Sequence, residues 1–99
     1  MTAIKNLVSQ IGEELDGAKK YAEAYVQAKV DDDSYWKARY HEMAEDELKH
    51  ADYIHELTAK KIKALGEVLV PPQAMLDKWE SSHKDYVERA AWIRQMLSM

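Results

Sequence analysis

Two carboxylates and one imidazole carry the chemistry this chain can offer. Glu47-Leu48-Lys49-His50 is a Glu-x-x-His. On a helix, residues three apart lie on one face about a turn from each other, so these two side chains can hold one metal ion between them. Glu14 is a further acid, set in a run whose other members are apolar or aromatic. The sequence has no Cys, which removes disulfides, zinc–thiolate sites and iron–sulfur clusters and leaves any metal to carboxylate and imidazole. Such a donor set suits iron or manganese and also admits zinc.

The weight given to these residues depends on the elements that must position them. Ile4, Leu7, Ile11, Glu14, Ala18, Tyr21, Tyr25 and Ala28 step alternately by three and four, the period of a helix-bundle seam. Val8, Leu15, Ala22 and Val26 widen it into a stripe. The spacing predicts a first helix over about 3–30, with Thr2 as its N-cap. Gly17 lies inside that helix at a cost of about 1 kcal/mol relative to Ala, which a close helix contact would offset. Asp31-Asp32-Asp33-Ser34 breaks the pattern with turn and N-cap residues whose charge favours a helix amino terminus. A second helix is expected over about 34–65, stopped by Gly66. Its seam is Trp36, Tyr40, Met43, Glu47, His50, Ile54 and Leu57. Pro71-Pro72 then presets a new helix start, giving a third helix over about 72–98 with the seam Leu76, Trp79, His83, Tyr86, Ala90, Ile93 and Leu97. No strand-like alternation, linker or internal repeat interrupts this, so residues 1–99 read as a single all-α domain.

The short turn at 31–34 makes the first two helices an antiparallel hairpin, in which residues whose numbers sum to roughly 63 stand at one level. Glu14 then faces the level of Glu47 and His50. Taken singly, each has a plainer explanation: Glu14 snorkels, Glu47 makes a surface pair, His50 is a core histidine. Together they are polar intrusions into two apolar seams at one height. Burying two neighbouring carboxylates costs several kcal/mol per ion or forces one to keep its proton, and a cation removes that difficulty. Glu80 and His83 form another Glu-x-x-His on the third helix. The turn near 66–71 sets His83 level with about residue 55, roughly 10 Å of helix rise from Glu47 and His50. His83 is therefore expected to be a core histidine paired with His55 or a Tyr hydroxyl, the alternative being an intrachain metal site that uses Glu80 and His83.

Composition bounds the function classes. A chain of 99 residues has one core and a high surface-to-volume ratio, a size at which association is common. The net charge of −4 and the lack of a basic patch argue against nucleic acid and anionic membranes as partners. No apolar run approaches the ~20 residues of a membrane span, and no signal-peptide core is visible, so a cytoplasmic location is expected. The acids Asp31 to Asp33, Glu42, Glu45 and Asp46 read as a solvated face.

Glu14 with Tyr21, a Glu-x6-Tyr, followed by Glu47 with His50, a Glu-x-x-His, resembles the first half of a ferritin or rubrerythrin ferroxidase bundle over about residues 4–58. A chain carrying only that half is similar to the half-length ferritin-like proteins, among them the encapsulated ferritins. The Pro-Pro followed by a Trp-containing last helix is similar to small ferritin-like proteins encoded in phage genomes. In ferritin-like bundles, one Glu from each of two helices joins two Glu-x-x-His pairs. Doubling Glu14, Glu47 and His50 about a two-fold axis would supply that set. The resemblance thus implies a homodimer or larger, in which two hairpins pair into a four-helix bundle flanked by the third helices. It implies a ferroxidase that binds two ferrous ions at Glu14, Glu47 and His50 of paired chains and oxidises them with dioxygen or peroxide. Glu47 would bridge the metals, His50 would cap one from each chain, and Glu14 would be terminal or bridging. Tyr21 and Tyr40 are candidate hydrogen-bond donors to the carboxylates, with ordinary packing the simpler account of Tyr40. No segment after Ser98-Met99 resembles a targeting peptide for an encapsulin shell, so no shell partner is expected. The competing function is a non-catalytic helical oligomerisation module whose site holds zinc or manganese, or nothing. A peptide-binding adaptor has no signal beyond Met43, Met75 and Met96, which are more simply core.

Overall fold

The computed structural model describes residues 2–99. It contains α1 (Thr2–Val30), α2 (Ser34–Gly66) and α3 (Gln73–Leu97), with no strand among the described residues. None of these helices is long and apolar enough to cross a membrane.

The turn between α1 and α2 is built by two aspartates with separate duties. Asp32 takes φ 56°, a left-handed conformation that Asp tolerates better than most residues. Its N–H reaches Lys29 O at 3.2 Å, and the N–H of Asp33 reaches Ala28 O at 2.9 Å, which together close α1 in a Schellman motif. Asp33 then caps α2, its side chain accepting from the Trp36 N–H at 3.2 Å. One residue thus ends one helix and starts the next, which holds the hairpin tight and fixes its register.

Two helix ends differ from expectation. Thr2 is the first residue of α1 and not its cap. Gly66 is the last residue of α2 and does not adopt the left-handed stop. Instead the final turn tightens, with Glu67 N–H on Ala64 O at 3.2 Å and Val68 N–H on Leu65 O at 3.1 Å, before Pro71-Pro72 prevents continuation.

The core joins Ile11, Leu15, Ala18, Ala22 and Tyr25 of α1 to Ala44, Leu48 and Ala51 of α2 and to Ala90, Ile93, Met96 and Leu97 of α3. Alanines at 18, 22, 44 and 51 bring the backbones close, as ridge-into-groove packing requires of a tight contact. Thr58 is the one buried polar residue among those described, and its hydroxyl is satisfied by Ile54 O at 2.6 Å. α3 lies chiefly along α1 and touches α2 sparingly.

The expected seam of α2 is not its buried face. Ala44, Leu48, Ala51 and Thr58 are buried, one residue removed from the anticipated line. Trp36, Met43 and Leu57 are 48%, 36% and 44% exposed, and His50 is exposed with them. These four recur every seventh residue, so they form one stripe along the helix. The physical reason is that α1 and α3 cover only one side of α2, and the stripe looks outward on the other. The molecule is accordingly a rod of 55 × 17 × 16 Å with a radius of gyration of 16.0 Å, against about 13 Å for a compact domain of this length.

Candidate metal centre

Glu14, Glu47 and His50 each offer one ligand atom, and these atoms all lie within 4.8 Å of one another. The hairpin register does this: α1 supplies Glu14, and the Glu-x-x-His spacing puts both residues of α2 on the facing turn. No other group of three or more acids and histidines converges in this way among the described residues. His50 Nδ1 stands 3.4 Å from Glu14 Oε2, with the Glu14 side chain 21% exposed and that of His50 55% exposed. The cluster therefore sits at the open edge of the hairpin, half sunk between α1 and α2.

Gly17 makes the pocket for it. A Cβ built there would stand 3.0 Å from Glu47 Oε2 and 3.4 Å from its Cδ. The close contact expected at this glycine is thus made to the Glu47 side chain, so the carboxylate occupies the volume that any other residue would fill.

The electrostatics are those of two acids sharing too little space. The Glu47 carboxyl is pushed up from the ordinary 4.5 to about 7, first by its hydrogen bond with Glu14, then by burial and by the Glu14 charge. The nearby His50 pulls in the opposite direction. Near neutral pH one proton is therefore held where a cation would otherwise stand. Two carboxylates and an imidazole are a donor set for a divalent ion such as iron, manganese or zinc, so the residues present fit a metal.

The contacts that the structure shows for Tyr21 and Tyr40 are packing contacts, against the core and with each other. Their rings stack with centroids 6.5 Å apart, and Tyr40 continues to Trp36 at 5.5 Å, about two helical turns along α1 and α2 from Glu14 and Glu47. His83 does not join the cluster. Its Nδ1 lies 2.8 Å from His55 Nε2, and it is exposed, not a core histidine, because α3 runs along α1 and meets α2 only at an edge. Glu80 is exposed and likewise outside the cluster. Not anticipated was the network binding α3 to α2, in which the Tyr86 hydroxyl donates to Asp52 and Arg94 approaches the same carboxylate at 3.1 Å. Asp52 follows His50 by two residues and so points away from the Glu14, Glu47 and His50 cluster, a hint readable from helical spacing alone.

Comparison with protein-family models, with curated proteins and with solved structures finds no match to this chain.

Proposed function

We propose that the protein is a ferroxidase-type di-iron protein whose site is shared between two chains. The observation that carries this reading is the convergence of three ligand atoms, within 4.8 Å, on a face its own chain leaves uncovered. One chain offers too few ligands for two metal ions. A second copy related by a two-fold axis doubles the set to four carboxylates and two imidazoles. It would also cover Trp36, Met43 and Leu57, which otherwise keep 48%, 36% and 44% of their surface in water.

Ferrous ion is the substrate in this reading. Each of two ferrous ions gives up one electron, and one dioxygen takes both electrons and two protons to become hydrogen peroxide. This chain's part is to hold the ions with Glu14, Glu47 and His50. It also releases the proton held between the two carboxyls as the ions enter, so that the site stays close to neutral. The second reading is a metal-stabilised oligomerisation module. The more than half exposed His50 side chain favours it, because such an imidazole serves equally well as a structural zinc ligand.

Anaerobic ferrous titration of the metal-free protein, followed by air, separates the two. The ferroxidase reading expects saturation at one iron per chain and rapid growth of the ferric near-ultraviolet absorbance, both lost in Glu47→Ala. Zinc binding without iron oxidation, or no metal binding at all, would refute the ferroxidase reading and leave the oligomerisation module.

A further inference from the structure

Between their first turns, α1 and α3 leave a groove of about 450 Å³, a size at which clefts hold small molecules. Ile4 and Val8 of α1 and Met75 and Trp79 of α3 give it an apolar floor, and Lys5 and Lys78 stand exposed on its two walls. We propose that this groove binds a medium-chain carboxylate, with its chain on the apolar floor and its head between Lys5 and Lys78.

The charge of the groove selects the head. No acid lines it, although the chain as a whole carries a net charge of −4. Neither lysine is ion-paired among the described residues. Both helices also begin here, so the positive ends of their dipoles add to the two ammonium charges. An anion is therefore favoured and a cation repelled. The shape selects the chain. From Thr2 to Val8 the α1 wall rises about 9 Å, which an extended chain of about eight carbons matches. Ile4 is buried and Trp79 half-buried, and the Trp79 ring is packed against His55 with centroids 5.0 Å apart. The floor is thus in place before a ligand arrives, which lowers the cost of binding. No residue of α2 lines the groove, so pairing of two chains across the exposed stripe of α2 would leave it open. The proposal does not rest on the metal centre.

Octanoate titrated into the metal-free protein is the test, followed through the methyl resonances of Ile4, Val8 and Met75. Saturable binding at one per chain is expected, half complete below about 1 mM, with shifts centred on those methyls. Octylammonium, the same chain with the opposite charge, should bind at least about fivefold more weakly. Lys5→Glu with Lys78→Glu should reverse that order and leave the helical circular dichroism unchanged, because both side chains are exposed. Ala74→Trp, at an exposed position on the α3 wall, should fill the groove and abolish binding of either amphiphile. No half-saturation by about 1 mM, shifts centred elsewhere, or an unchanged preference in the double variant would overturn the proposal. Binding lost as protein concentration rises would assign the groove to a second copy of the chain and overturn it as well. Glu14, Glu47 and His50 are intact in all these proteins, so the outcome is separate from that of the ferroxidase reading.

Discussion

Gly17→Ala should leave the stability of the metal-free protein nearly unchanged while damaging the proposed metal centre. A mid-helix Gly costs about 1 kcal/mol relative to Ala, so the substitution has about that much to gain. Against it stands the contact of the new Cβ with Glu47 Oε2 at 3.0 Å. The clashing atom is the end of a flexible side chain, and a displacement of a few tenths of an ångström or a rotamer change relieves it at about 0.5–1.5 kcal/mol. The net change in fold stability is therefore between about −0.5 and +0.5 kcal/mol, worth at most about 2–4 °C either way in melting temperature for a domain of this size. The displaced carboxylate leaves Glu14, and metal affinity is expected to fall at least about tenfold, the usual cost of disturbing a ligand's position. Gly12→Ala is the matched control. It lies in the same helix with nothing within 4 Å of its would-be Cβ, so it should gain the propensity and leave metal binding alone. Thermal melts of metal-free protein and ferrous titrations under nitrogen, run on all three proteins, provide the comparison. Unaltered iron affinity in Gly17→Ala would refute the reasoning, as would equal losses in both variants.

Metal binding should release protons and weaken as pH falls through about 7, because the ion displaces the proton that Glu14 helps hold on Glu47; a pH-stat titration measures this directly. In metal-free protein the sign for folding is opposite to that of a salt-bridged acid. A carboxyl whose folded pKa is raised from 4.5 to about 7 lends stability while protonated and withdraws it as pH rises across that window. The full effect is at most about 3 kcal/mol, cut to about 1–2 kcal/mol by solvent at this open edge, and the difference in denaturant stability between wild type and Glu47→Gln should show it. Asp32→Gly should stabilise the fold by about 0.5–1 kcal/mol, since φ 56° suits Gly better than Asp; urea unfolding is the check. Trp36→Ser with Met43→Ser should shift the protein towards single chains in sedimentation, while its helical circular dichroism stays at the wild-type level, because both residues are exposed in the single chain.

Periodicity reported the helices because each one buries a stripe, and the Asp run reported the turn because its residues have local conformational preferences that act without tertiary help. The hairpin register follows from the shortness of that turn, which is enough to place Glu14 opposite Glu47 and His50. What periodicity could not decide was which of two adjacent stripes on α2 faces the rest of the chain. Trp36, Met43, His50 and Leu57 are as regular as Ala44, Leu48, Ala51 and Thr58. The stripe with the alanines, which lets the helices approach closely, packs against the rest of the chain, while Trp36, Met43 and Leu57 remain outside. The behaviour of Gly17 was half visible: a mid-helix glycine asks for a close contact, but nothing in the sequence says that the contact is the Glu47 carboxylate. The Asp52–Tyr86–Arg94 network depends on how α3 leans across α1, a matter of long-range packing that no short motif encodes.

Native mass spectrometry of the protein loaded with ferrous ion under nitrogen reads chain number and metal number in one spectrum, and so tests the shared site most directly. The account predicts a two-chain particle carrying two iron ions, which reverts to iron-free species in Glu47→Ala. A single chain that binds iron as tightly as any dimer, or a dimer that takes up none, would contradict it.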